Sequence, residues 1–394
     1  MIVQLKLNDV PVHLLVDTGA KNTVIINPGI TEQMHLENLV PVEIKGLGQK
    51  EPIQGFLSRK NEIRFNNLQV NHHTVVWLKD SIVDFSDYYH TDIDGVLGSA
   101  FLKNFVVEIR FASRQIVLHD PRHYRKKHKT RIPVRLIDTK PAIRFSFMNQ
   151  DQVFLIDTGN TDAVWFYGKP PEDHPYRLIY GYLGLGVSGE IYGYSTLVRT
   201  LVFGGKKFFK VPLSVPDSAS MKHVKVAMNS GLIGNSLLKK FKVIIHYPEK
   251  YLVLKRNIFT SRQIPYDKSG LVVKLAKPKL IEAEYTIYDH KMGGNDKDGF
   301  VQITGRTVKK LLTVRFVKVE EVLQGSPAQR AGMVKGDIVE AVNGRPIYEL
   351  KNGLSDFSGL LSQKEGKKIT LKIKRNGIPM QISFHLEDYY YRKQ

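Results

Sequence analysis

The chain has 394 residues, is 42% hydrophobic and 24% charged, and carries a formal net charge of +20. It holds no cysteine, which excludes thiol nucleophiles, zinc–thiolate and iron–sulfur centres and disulfides, and leaves the redox compartment open. No apolar run approaches the roughly 20 residues that span a bilayer, and the start MIVQLKLND is not the charged-then-apolar pattern of an export signal.

The length suits two or three domains. Strand-like runs between turns, with 31 Gly and 18 Pro, predict a mainly β protein. The first stretch, IVQLKLNDVPVHLLVDTGAKNTVI, alternates apolar and polar residues, turns at Asn8-Asp9 and runs apolar into Asp17-Thr18-Gly19. That is a β-hairpin feeding a tight loop. Residues 46–56, from Gly46 through Gly48 and Ile53 to Gly55, read as a glycine-bounded hairpin. In NLQVNHHTVVWL, a further hairpin, His72 and His73 are expected on the surface. Asp92 and Asp94 read as loop residues rather than cation ligands. DGVLGSAFLKNFVVEIRFASRQIVLHD, residues 94–120, has two apolar residues and a glycine leading into a short helix and then a hairpin. Residues 119–131 are the densest basic run. They lack the interleaved aromatics of a base-stacking platform, so a solvated basic linker is expected and no nucleic-acid partner.

Beyond the linker the pattern restarts. AIRFSFMNQDQVFLIDTGNTDAVW, with its turn at Asn149-Gln150-Asp151, sets Asp157-Thr158-Gly159 opposite Asp17-Thr18-Gly19 without a gap. Gly184-Leu185-Gly186 through Gly193 faces the 46–56 stretch, and SGLIGNSLLKKFKVIIHYPEKYLVLKR, residues 230–256, faces 94–120. Three blocks in one order at nearly constant spacing mark an internal duplication. Gly184, Gly186 and Gly189 also match a dinucleotide-binding pattern, but a strand-like EIYGYSTLV follows and positions 204 and 205 are glycines rather than an acid. The helix and ribose-binding acid such a loop requires are missing, so no dinucleotide is expected.

Two DTG loops, each followed by a glycine-bounded hairpin and an apolar-apolar-Gly turn, resemble the aspartic peptidases over roughly residues 1 to 256. Repeats of about 120 residues are closer to retropepsin lobes than to pepsin lobes. The resemblance implies two tandem retropepsin-like β-barrel lobes in a bilobal, pepsin-like arrangement, here within one chain. It implies that Asp17 and Asp157 meet and activate water for peptide hydrolysis, with no metal and no cofactor. Thr18 and Thr158 would hydrogen-bond across the lobe boundary, and Gly19 and Gly159 would let backbone N–H groups reach the carboxylates. Gly46, Gly48, Ile53 and Gly55, with Gly184, Gly186, Ile191, Tyr192 and Gly193, would form two flaps over a peptide or unfolded protein substrate. Val96-Leu97-Gly98 and Leu232-Ile233-Gly234 would support the DTG loops. Ala20 is the retropepsin choice after DTG, whereas Asn160 replaces the pepsin serine or threonine and bears on the pH optimum.

From about residue 260 the repeat ends. Gly325-Ser326-Pro327-Ala328, Lys335-Gly336-Asp337 and Val342-Asn343-Gly344 resemble a PDZ domain, closed by KITLKIKRNGIPMQISFHL with a turn at Asn376-Gly377. Residues 348–363 read as an amphipathic helix and 276–313 as an insertion. The best match to the PDZ carboxylate loop is Ser269, Gly270, Leu271 and Val272, although Val272 stands where a second glycine is usual. A C-terminal peptide ligand is thus a possible partner. Residues 293–299 read as a surface turn rather than a calcium loop.

The expected organisation is lobe one at 1–120, a basic linker at 121–130, lobe two at 131–259 and the PDZ domain at 260–394. Arg131–Leu136 has no counterpart ahead of lobe one, so a segment preceding Met1 is expected in the native precursor. Bacterial relatives with this arrangement carry an export signal there, which implies a periplasmic or cell-envelope protein. The competing readings are a non-catalytic peptide-binding protein and a binder of acidic polymers through the linker.

Overall fold

The computed structural model describes the chain except residues 35, 37, 80–84, 86, 87, 89–91, 171–174, 225–227, 294–299 and 392–394; for 283–285, 288–293 and 300–304 it describes the backbone alone. The expected turn at 293–299 lies almost wholly outside the described residues.

The protein is mainly β. In lobe one the alternation of the first hairpin buries Leu5, Leu7, Val12, Leu14 and Val16, and Asn8 and Asp9 make its turn with φ of 47° and 66°. The hairpin joins a seven-stranded sheet in the order Ile2–Leu7, Val10–Val16, Gly95–Leu97, Thr23–Ile25, Leu68–Leu78, Ile53–Phe65, Val40–Ile44. Lys6 and Leu7 pair back to Arg64 and Ile63, which closes the sheet into a barrel. Lobe two repeats the plan: Gln150–Ile156 runs parallel to Gly231–Ile233, as Val10–Val16 does to Gly95–Leu97. Its hairpin turns at Met148 and Asn149, both at positive φ, one residue earlier than expected; Gln150 and Asp151 are already strand.

The two lobes share one seam. Phe241–His246 of lobe two pairs antiparallel with Val106–Arg110 of lobe one, and Ile244 stands opposite Glu108. The duplication aligns those same two positions, so the seam has the self-complementary register of a two-fold interface. The linker crosses beside this seam. Arg125, Lys127 and Lys129 are exposed as expected, but Tyr124 and His128 turn inward. Tyr124 contacts the rings of His119, His128 and His246, and Lys126 pairs with the buried Glu108. A fully solvated linker is therefore corrected to one anchored at alternate residues.

Two further expectations change. His73 is buried at 8% exposure with Nε2 2.8 Å from the Thr23 hydroxyl, and burial pushes its pKa down to about 4; His72 alone is exposed. The helix expected over 348–363 is confined to Leu354–Leu361, because Gly353 ahead of it has φ of 46°.

The third sheet runs Leu271–Leu275, Val317–Val322, Ile338–Val342, Lys368–Arg375, Ile378–His385, with Leu271–Leu275 at its edge. Helix Leu354–Leu361 packs on it through Phe357 and Leu361. Lys279–Gly293 and Phe300–Val314 form a separate two-stranded ribbon.

Candidate functional site: a carboxylate pair between two interlocked loops

Each DTG loop is held from below by its own lobe. Asp17 N–H donates to the Leu97 carbonyl at 3.0 Å and Asp157 N–H to the Ile233 carbonyl at 2.9 Å. The parallel strands Gly95–Leu97 and Gly231–Ile233 thus fix where the loops emerge. Gly19 and Ala20 N–H donate to Asp17 Oδ1 at 2.7 and 3.0 Å. Gly159 and Asn160 N–H donate to Asp157 Oδ1 at 2.8 and 3.0 Å. The donor sets match, because the Asn160 side chain turns away and accepts Asp162 N–H at 2.8 Å.

Across the boundary the loops interlock. Thr18 Oγ1 donates to the Ile156 carbonyl at 2.5 Å and accepts Thr158 N–H at 3.1 Å. Thr158 Oγ1 donates to the Val16 carbonyl at 2.8 Å and accepts Thr18 N–H at 3.0 Å. Both threonines are buried. Gly19 lies flat on the Asp157 carboxylate and Gly159 on that of Asp17; a methyl group at either would overlap the carboxylate. Asp17 and Asp157 consequently reach hydrogen-bonding distance of each other. Burial, then the neighbouring Asp17 charge and that hydrogen bond, hold Asp157 well above the ordinary carboxylate range. Its backbone donors oppose the shift without cancelling it.

The two glycine hairpins cross each other. Gly48 N–H donates to the Ser220 carbonyl at 2.9 Å, Ser188 N–H to the Leu47 carbonyl at 2.9 Å, and Lys50 N–H to the Ser188 carbonyl at 2.8 Å. Gly48, at φ 129°, sits directly on the Ser188 carbonyl, and Gly186 sits on that of Leu47, which leaves no room for a side chain. Packing is reciprocal: Leu47 joins Ile191, Trp165 and Leu232 of lobe two, while Leu185 and Val187 join Ile26, Ile53 and Leu78 of lobe one. Gly46 lies against Val187 at the tip, and Gly184 is at a register shift with open space around it. Gly55 and Gly193 lie lower, where strands press on the Trp77 and Val215 carbonyls. Tyr192 lies on the opposite face of its strand from Ile191. Strand alternation turns it away from buried Ile191, and its ring meets Tyr180 and Tyr182.

The PDZ-like region is seated on the second glycine hairpin. Tyr182 N–H, on strand Ile179–Gly186, donates to Glu321 Oε2 at 2.5 Å. Tyr176, Ile179 and Leu197 bury against Leu323, Tyr389 and Tyr390. Arg177 N–H donates to the Tyr390 carbonyl at 2.7 Å, and Lys210 pairs with Asp388 at 2.9 Å. Sequence reasoning missed Ser188, Ser220, Glu321 and this tyrosine cluster. All act between modules, where no local pattern announces a partner.

At the expected PDZ carboxylate loop, Ser269 and Gly270 N–H donate to Asp267 Oδ1 at 3.0 and 2.5 Å. Leu271 N–H donates to Ser269 Oγ at 3.1 Å, and Val272 contributes to the tyrosine cluster. The donors of this stretch are engaged internally. Among the described residues no cluster of three or more His, Asp or Glu is arranged to hold a metal.

Residues 3–101 match the family described as aspartyl protease, and residues 318–375 the PDZ domain. The chain thus carries a stretch similar to aspartyl proteases and, further on, one similar to PDZ domains. A 70-residue stretch is 34% identical to the periplasmic pH-dependent serine endoprotease DegQ of Escherichia coli (strain K12). That stretch is 18% of this chain and 14% of the relative's length. No helix among the described residues is long and apolar enough to cross a membrane.

Proposed function

We propose that this protein is an aspartic endopeptidase in which Asp17 and Asp157 activate one water molecule. The observation that carries the reading is the reciprocal contact of Gly19 with Asp157 and of Gly159 with Asp17, which brings two carboxyls into one hydrogen bond. One proton shared by such a pair supplies an acid and a base together. The shared proton is assigned to Asp157, the direction in which burial and the Asp17 charge push it. Asp17 takes a proton from water as its oxygen bonds to the scissile carbonyl carbon, and Asp157 protonates the carbonyl oxygen. Asp17 then passes its proton to the amide nitrogen, the C–N bond breaks, and a hydroxyl of the diol returns a proton to Asp157.

The substrate is an extended peptide or unfolded segment with apolar side chains beside the scissile bond. The apolar clusters now covered by Leu47, Leu185 and Val187 suit such side chains once the flaps part. The PDZ module assists by binding polypeptide. A periplasmic or envelope location is part of the proposal, supported by the similarity to a periplasmic protein.

The test is cleavage of a diverse peptide library from acidic to neutral pH by the wild type, Asp17→Asn and Asp157→Asn. Loss of cleavage in either variant is expected. Cleavage surviving both substitutions would discard the pair as the catalytic group, and a wild type inert at every pH would leave a peptide-binding cleft instead.

A further inference from the structure

We infer that the PDZ module takes an internal, extended stretch of polypeptide rather than a chain terminus, because Asp267 already fills the place of a terminal carboxylate. The inference rests on the module binding peptide, as proposed above, and deepens that reading.

A terminal carboxylate needs the consecutive N–H groups ahead of the edge strand. Here those of Ser269 and Gly270 hold Asp267 Oδ1, the Ser269 hydroxyl donates to Asp267 Oδ2 at 2.9 Å, and Leu271 N–H is taken by Ser269 Oγ. The nest therefore contains a carboxylate supplied by its own chain. A second carboxylate would meet both a filled site and a like charge, at a cost that grows with burial.

The nest is also sealed. Glu387 N–H donates to the Lys268 carbonyl at 3.1 Å, which lays residues 387–390 alongside the loop. Tyr389 and Tyr390 are buried and stacked 4.7 Å apart, and Tyr266 meets Tyr390 at 6.2 Å. The Tyr266 hydroxyl donates to Asp388, which also holds Lys210 of lobe two. Opening the nest would disturb the seat on the flap as well.

The strand edge itself remains. Among the described residues Leu271–Leu275 has one sheet neighbour, Val317–Val322. Its ladder to that side includes the Gly270 carbonyl and Ala276 N–H, so two-residue alternation points the N–H and C=O of half-buried Val273 outward, while Leu275 is covered. Lys268 N–H donates to the Leu361 carbonyl at 3.0 Å, which sets the end of helix Leu354–Leu361 beside the loop. Val273 and Leu360 are half-buried against the same core. An added strand would be read by main-chain bonds, with apolar side chains set against this surface, and no free end is required. Such a module holds substrate before cleavage and has no special grip on the new C-terminus that cleavage creates.

The measurement uses the full chain carrying Asp17→Asn and Asp157→Asn, so that bound peptide is not cut. A random N-acetylated decapeptide library is offered in two forms, C-terminal acid and C-terminal amide, and captured peptides are counted by mass spectrometry. Capture of the two forms within about twofold is expected, with a loss of about tenfold for both on adding Val273→Pro, which removes an outward N–H. Asp267→Ala should shift capture toward the acid form by about tenfold. A strong acid preference with Asp267 in place, or capture indifferent to Val273→Pro, overturns the inference. So does an Asp267→Ala chain that folds without gaining that preference. Capture is read on a chain that cannot cleave, so failure of the peptidase reading would appear in the cleavage assay and not here.

Discussion

Thr18 and Thr158 grip each other across the lobe boundary, each accepting the other's N–H while donating its hydroxyl to a carbonyl of the opposite lobe. Both are buried, so water cannot replace a lost partner. Thr18→Val or Thr158→Val keeps the shape and leaves one buried carbonyl and one buried N–H unpaired. The expected loss of stability is about 2–5 kcal/mol for two such groups. Denaturant unfolding of the single variants would show it, and a change near zero would remove the grip as a stabilising contact.

Gly19 and Gly159 bring the carboxyls together by lacking a side chain. Gly19→Ala or Gly159→Ala would drive a methyl group into the opposite carboxylate. Cleavage is expected to fall by 10²-fold or more, on the order of the cost of misplacing catalytic groups by an ångström. Circular dichroism and the melting temperature would show whether the barrels persist, and full activity in a folded alanine variant would contradict the geometry of the pair.

Protonation adds a pH dependence. Asp157 is raised well above the ordinary range by burial and by Asp17, and burial pushes Asp267 up to about 6 against its hydrogen bonds. A carboxyl whose folded pKa exceeds its unfolded value binds the proton more tightly when folded. Its stabilising contribution is therefore complete below the unfolded pKa and is lost as pH rises through the folded one. The melting temperature contribution from Asp267 should fall between about pH 4 and 6, and Asp267→Asn should flatten that part of the profile. Cleavage should decline on the alkaline side as the pair loses its shared proton. A rate that rises steadily past neutrality would exclude this assignment.

The second glycine hairpin carries the PDZ module. Tyr182 N–H belongs to an edge strand and is capped by Glu321 rather than by a neighbouring strand. Glu321→Ala should speed amide hydrogen exchange across residues 179–186 by about tenfold or more, since local opening sets that rate. Unchanged exchange there, with exchange elsewhere also unchanged, would mean the flap is held without this contact.

The repeats were legible because each is local: a strand, a loop, a glycine hairpin and a turn, in order, twice. What was lost was orientation between elements. His73 shares its two-residue parity with the buried Val75 and Trp77, so alternation could have turned it inward, but the adjacent His72 and a polar run hid the register. The 348–363 helix was read through Gly353, whose left-handed φ stops it. The seat of the PDZ module depends on Glu321, Leu323 and Tyr390, far along the chain from the flap they meet, and no periodicity marks them.

Glu108 is wholly buried at the seam, where hydrogen bonds from Arg110, His119 and Lys242 outweigh the cost of burial and hold it well below the usual carboxylate range. Its stabilising contribution is present above the ordinary carboxylate range and is lost as pH falls through the lowered value. Glu108→Gln should therefore lower the melting temperature at neutral pH and narrow the difference from wild type in strong acid. Equal melting at neutral pH would show that the cationic partners need no carboxylate there.

The residue facing Glu108 is Ile244, its own image under the duplication. Two separate copies of lobe one associating in that register would set glutamate against glutamate at the axis and bury two like charges. A gene carrying both halves escapes that constraint. Each half is free to change alone, so the ancestral mirror can be broken residue by residue, with one anion kept at the centre and its countercharges drawn from both sides.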